Sequence, residues 1–134
     1  MSAASRSVAL IGLGAIGRAV LQGTDKAKGV TVTHALVRAA KRDDVQKRFG
    51  PHLKVVSASD ELPDDLDLIV ECAGHDTVRT EIPALLRRGL DVAIVSVGAL
   101  ADTPCLDTLR SAAANGGARL RVLPGAIGGI DGLA

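Results

Sequence analysis

Short apolar runs alternate with stretches of helical period along the chain, and this alternation limits the fold more than any other feature of the sequence. Ser7–Ile11 is a brief apolar run that ends in Gly12, as a buried strand does. Ala15–Gly23 follows with Ile16, Ala19 and Val20 at helical spacing. Val30–Val37 is β-branched and reads as a second strand, and Ala40–Phe49 as a short, charged helix. Leu53–Val56 and Leu68–Cys72 are the next two strands, joined by the acidic connector Asp60–Asp67. Asp76–Arg88 is helical, with Val78, Ile82, Leu85 and Leu86 on one face and Gly89 as a left-handed cap. Pro83 within it predicts a kink or the start of a second helical piece. Val92–Val97 is a fifth strand. Thr103-Pro104 opens a helix, with Pro at its first position, that runs to Ala114, and Leu120–Leu123 is the sixth strand. Six strands alternating with helices through short connections predict an α/β fold with a doubly wound, mainly parallel sheet of Rossmann type. Right-handed crossovers then give the strand order 3-2-1-4-5-6.

The chemistry is carried by Gly12-Leu13-Gly14-Ala15-Ile16-Gly17, a G-x-G-x-x-G that follows a strand and opens a helix. Gly12 permits the tight turn. Gly14, without a Cβ, lets backbone approach a pyrophosphate, and Gly17 allows close packing of the helix on the sheet. Phosphates would then sit on the helix N-terminus, where free N–H groups and the dipole favour negative charge. An acid about 20 residues further on would complete an NAD fingerprint. Val37 and Arg38 stand there instead, with Lys41 and Arg42 close by. This basic group either accommodates a 2′-phosphate, as NADP requires, or is an ordinary solvated helix start. The cofactor expected is NAD or NADP.

Cys72, Ala73 and Gly74 lie at the end of the fourth strand, and Ser96 and Gly98 at the end of the fifth. Both ends border the crevice where open α/β sheets bind ligands, and their small residues leave room for ribose and nicotinamide. Cys72 has no flanking base or cation and reads as a buried small residue rather than a nucleophile. His75, beside a helix start, reads as a structural or surface residue, and His34 and His52 offer less. No metal-ligand spacing exists among the three His and two Cys.

Composition excludes several classes. With 47% hydrophobic and 23% charged residues the chain is globular rather than disordered. A net charge of +1 gives no reason to expect nucleic acid or an anionic membrane as partner. One Phe and no Tyr or Trp leave no stacking platform for bases. Two cysteines make no disulfide framework, and reduced thiols with a cytoplasmic location are expected. Met1–Arg6 followed by Val8–Gly17 has the outline of a signal peptide, but the apolar stretch is broken by glycines and no small-residue cleavage site follows.

Gly12–Gly17, Glu71-Cys-Ala-Gly-His75, Val95-Ser-Val-Gly-Ala-Leu100 and Leu123-Pro-Gly-Ala-Ile-Gly-Gly-Ile-Asp131 occur in an order and spacing that resemble the N-terminal half of the L-aspartate dehydrogenase family. The resemblance implies NAD(P)-dependent oxidative deamination of L-aspartate to iminoaspartate. The imine hydrolyses to oxaloacetate and ammonia or feeds quinolinate synthesis for NAD. It also implies a homodimer and a nicotinamide-end contact at Ala126, with Gly128-Gly129 continuing that loop. Family chains are roughly twice as long, in a two-domain organisation. Residues 1–134 are therefore expected to be the dinucleotide-binding domain alone, as a fragment or a natural truncation. The catalytic residues are expected beyond residue 134, in a second domain. A stand-alone dinucleotide-binding or sensing module without catalysis is the competing expectation, and another amino-acid or aldehyde-type dehydrogenase a third.

Overall fold

The computed structural model describes residues 5–123. Six strands form one all-parallel sheet: β1 (Arg6–Ile11), β2 (Val30–Leu36), β3 (Lys54–Val56), β4 (Leu68–Glu71), β5 (Val92–Ile94) and β6 (Leu120–Val122). Their order is β3-β2-β1-β4-β5-β6, as the alternation predicts. The direction of winding reverses between β1 and β4, and the carboxyl ends of these strands flank the crevice of such a sheet.

Strand periodicity divides the core into two layers. Val8 and Leu10 of β1 join Val32, Ala35, Val55 and Val70 on one face, beneath α1 (Ala15–Lys26) and α2 (Arg42–Phe49). Ala9 and Ile11 join Ile69, Val92 and Ile94 on the other, beneath α3 (His75–Thr80), α4 (Ile82–Arg87) and α5 (Thr103–Gly116). Both faces are covered, which is why the central strands read as continuous apolar runs. Leu10, Ile69, Leu85, Leu86 and Leu109 are wholly buried. Truncating any of these leucines to alanine would cost about 2–5 kcal/mol.

As expected, Pro83 breaks the helix over Asp76–Arg88 into α3 and α4, with Glu81 at the joint and Pro83 in the first turn of α4. Other boundaries differ from the sequence expectation, each for a local reason. β5 ends at Ile94 rather than Val97, because the chain turns back at Val95 (Val97 N–H to Val95 carbonyl, 2.8 Å) into a 3₁₀ segment over Val97–Ala101. The acidic connector also carries a 3₁₀ turn, Ser59–Glu61. Arg88 at the end of α4 holds that connector, donating to Asp64 Oδ1 at 2.8 Å and to the Ser59 carbonyl at 3.0 Å.

Candidate functional site

Three segments meet at the carboxyl ends of the central strands. The first is the glycine turn. Gly12 still belongs to the ladder, donating to the Leu36 carbonyl at 2.8 Å, and then turns with φ +91°, a conformation that favours glycine. A Cβ on Gly12 would lie 3.0 Å from Ala73 Cα, so the turn rests against the end of β4. A Cβ on Gly17 would lie 2.3 Å from the Gly12 carbonyl oxygen. The close approach that Gly17 permits is thus to the turn itself, one level above the sheet contact expected of it.

Gly14 is different. It caps α1 with extended dihedrals (φ −74°, ψ −158°) and no side-chain cap, and nothing lies within 4 Å of where its Cβ would stand. The Arg18 N–H bonds the Gly14 carbonyl at 2.9 Å and closes the first helical turn. The N–H groups of Ala15, Ile16 and Gly17 precede that bond and have no acceptor within the helix. No acid stands in that turn, and Ile16 is 43% exposed beside it. Open space over uncapped N–H groups at the positive end of a twelve-residue helix fits an anionic phosphate group.

The second segment follows β2. Arg38 is exposed just past Val37, whose N–H still bonds the Val56 carbonyl at 2.9 Å. Lys41 is exposed in the same turn. Arg42 leans away to Glu61, with 3.7 Å between guanidinium and carboxylate. The Glu61 carboxylate also accepts the Ser57 and Ala58 N–H groups, which together with Arg42 hold its pKa below the usual carboxylate value. Of the basic cluster expected here, Arg38 and Lys41 remain without an ion-pair partner among the described residues.

The third segment joins the ends of β4 and β5, and its organiser is a residue to which sequence reasoning assigned no role. Glu71 is wholly buried. Its Oε2 accepts the N–H groups of Ala73 and Gly74 and the Ser96 hydroxyl, each at 2.8 Å. Its Oε1 accepts the N–H groups of Val95 at 3.2 Å and Ser96 at 3.0 Å. Burying a carboxylate is expensive unless its oxygens are hydrogen-bonded, and here both are fully engaged. Beside it, Cys72 is half-buried, and its thiol pKa is pushed up to about 11, first by burial and then by the Glu71 charge. The Cys72 thiol is thus held protonated at neutral pH, which disfavours a nucleophilic role, and the residue is half-buried rather than buried as expected. The ring of exposed His75 lies over Gly98, where a Cβ would come within 2.6 Å of it.

The structure thus brings Gly12, Gly14, Ala15, Ile16 and Gly17 together with Cys72, Ala73 and Gly74 around one strand end, with Ser96 tied in through Glu71 and Gly98 beneath His75. Ala126 lies outside the described residues. Among the described residues no cluster of His, Cys, Asp or Glu side chains could hold a metal ion, and no helix is long and apolar enough to cross a membrane.

Known proteins match this chain in sequence and in fold. The chain is 36% identical over 130 residues to the L-aspartate dehydrogenase of Ralstonia nicotianae, across 95% of this chain and 48% of that protein. It is 41% identical over 127 residues to the L-aspartate dehydrogenase of Ruegeria pomeroyi, across 95% of this chain and 45% of that one. The chain therefore spans about half the length of the curated relatives it matches, their N-terminal half. Among solved structures, the aspartate dehydrogenase from Thermotoga maritima superposes with a TM-score of 0.70 at 27% identity, over 96% of this chain and 49% of that one. The homoserine dehydrogenase of S. aureus, at 21% identity and TM-score 0.63 over 89% of this chain and 32% of that one, shares the fold. A family model described as the NAD-binding domain of homoserine dehydrogenase matches residues 12–123, from the first glycine of the turn to the last described residue, and the chain belongs to that family of NAD-binding domains.

Proposed function

We propose that residues 1–134 are the dinucleotide-binding domain of an NAD(P)-dependent L-aspartate dehydrogenase. The observation that carries the reading is the open, uncapped start of α1 over Gly14, set against the end of β4. In this reading Gly12, Gly14, Ala15, Ile16 and Gly17 hold the pyrophosphate on the helix N-terminus. Arg38 stands at the adenosine ribose, where its charge favours a 2′-phosphate. Cys72, Ala73, Gly74, Ser96, Gly98 and Ala126 frame the nicotinamide half. The cofactor, when bound, accepts a hydride from the substrate's Cα. Loss of that hydride and of the amine proton turns L-aspartate into iminoaspartate, and water then releases ammonia and leaves oxaloacetate. Residues 1–134 supply binding and orientation, and the acid/base chemistry is assigned to a second domain. The names of the relatives support the substrate. A cytoplasmic homodimer serving NAD biosynthesis is part of the same proposal.

The test has two arms. The chain should bind NADH or NADPH saturably in a fluorescence titration, yet form no reduced nicotinamide from L-aspartate by itself. A chimera in which residues 1–134 replace the matching half of the Ralstonia nicotianae enzyme should oxidise L-aspartate. Absence of cofactor binding overturns the dinucleotide reading. Turnover by the chain alone overturns the assignment of acid/base chemistry to a second domain. A folded, cofactor-binding chimera that ignores L-aspartate overturns the assignment of this domain to an L-aspartate dehydrogenase.

A further inference from the structure

The ladder between β4 and β5 ends at the pair Glu71 and Ile94. Beyond it the two strands turn apart, one into Cys72–Gly74 and α3, the other into Ser96 and the 3₁₀ segment. Four backbone N–H groups lie where the strands separate: those of Ala73, Gly74 and Ser96, which would otherwise be left without partners, and that of Val95, which also donates to the Glu71 carbonyl at 3.0 Å. All four converge on the Glu71 carboxylate, with the Ser96 hydroxyl as a fifth donor. Among the described residues no cation is paired with Glu71, so backbone and hydroxyl donors alone compensate its burial. An apolar residue would fill this volume equally well in the core, but it could not fix two loops to each other. The His75 ring against Gly98 is a second contact between the same two loops.

A sheet of this type is built from two mononucleotide-binding halves, and the β4–β6 half faces the nicotinamide nucleotide. We propose that Glu71 is the positioning residue of that half. Its carboxylate locks the Cys72–Gly74 and Val95–Gly98 loops into one rigid seat for the nicotinamide nucleotide, which meets the glycine turn where Gly12 rests against Ala73. This inference rests on the dinucleotide reading above. It adds that affinity for the two halves of the cofactor is divided between two separate devices, the glycine turn and the buried carboxylate.

Glu71→Gln places amide N–H donors against backbone N–H donors and should spring the two loops apart. The experiment compares calorimetric titrations of the 134-residue chain with ADP and with NADH. The wild-type chain should bind both. Glu71→Gln should keep ADP affinity within about twofold and lose NADH affinity roughly tenfold or more, since several charge-assisted bonds are disturbed at once. If the amide variant does not fold, Ser96→Ala removes one donor and keeps all four backbone groups. It should weaken NADH several-fold and leave ADP unchanged. Unchanged NADH affinity in Glu71→Gln, or equal losses of ADP and NADH in a folded variant, overturns the proposal. A wild-type chain that binds neither ligand overturns the dinucleotide reading itself and this inference with it. A wild-type chain that binds both, with a variant that discriminates nothing, overturns only the role of Glu71.

Discussion

At the end of β1 the chain turns on glycines, whereas at the ends of β4 and β5 it turns around a carboxylate. The first half of the sheet makes its binding surface by removing side chains. Gly12 abuts Ala73, Gly17 abuts the Gly12 carbonyl, and Gly14 leaves open space in front of free N–H groups. The second half gathers N–H groups inward onto Glu71, so they are spent before any ligand arrives. One half offers donors to an anion, and the other keeps its donors and offers shape. A dinucleotide carries its negative charge at the pyrophosphate and a flat, weakly polar ring at the far end, and the two devices match those two needs.

The sharpest way to break this contrast is within the glycine turn itself. Gly14→Val introduces no strain, because the dihedrals at that position suit any residue and the space is empty. It should leave thermal stability within about 1 kcal/mol and lower NAD(P)H affinity by about a hundredfold or more. Gly17→Ala should do the reverse. Its methyl group meets backbone at 2.3 Å, and the cost should be roughly 2–3 kcal/mol in denaturant unfolding. If both variants lose binding and stability together, the turn does not separate the two tasks. Next in size is Arg38→Ala. Removal of this exposed guanidinium should lower the preference for NADP over NAD by about tenfold at low salt and less at high salt, as dissociation constants for both cofactors would show. An unchanged ratio would make Arg38 an ordinary surface residue. The smallest effect concerns Cys72. With its thiol raised to about 11, alkylation should be slow at neutral pH and rise only in strong alkali. In Glu71→Gln the lost charge and the parted loops should both lower that pKa and speed alkylation. A rate unaffected by the substitution would count against both effects.

The strand order, the break at Pro83 and the glycine turn were all legible in the residues, because each is a local pattern: an alternation, an imino acid in a helix, a spacing of three glycines. Glu71 was not legible as an organiser. Its donors come from positions 73 and 74 and, across the strand pair, from 95 and 96, so the cluster exists only once β4 and β5 lie side by side. A charged residue inside an otherwise apolar strand was the available signal, since such a residue must find donors if buried. The 3₁₀ segment after β5 was hidden because Val95, Ser96 and Val97 continue a β-like composition, and only the hydrogen bonds to Glu71 and the turn at Val95 divert the chain. Arg42 read as part of a basic cluster because its partner Glu61 lies on another connection.

The sheet is closed off in the same manner on both flanks. Among the described residues its outermost strands, β3 and β6, are each three residues long, and each carries an exposed cation, Lys54 on one and Arg121 on the other. Short, positively charged margins are poor templates for a neighbouring polypeptide, since a second copy would bring like charge to like charge for very few hydrogen bonds. Growth of the sheet from molecule to molecule, the first step toward fibrils, is thereby discouraged at both rims.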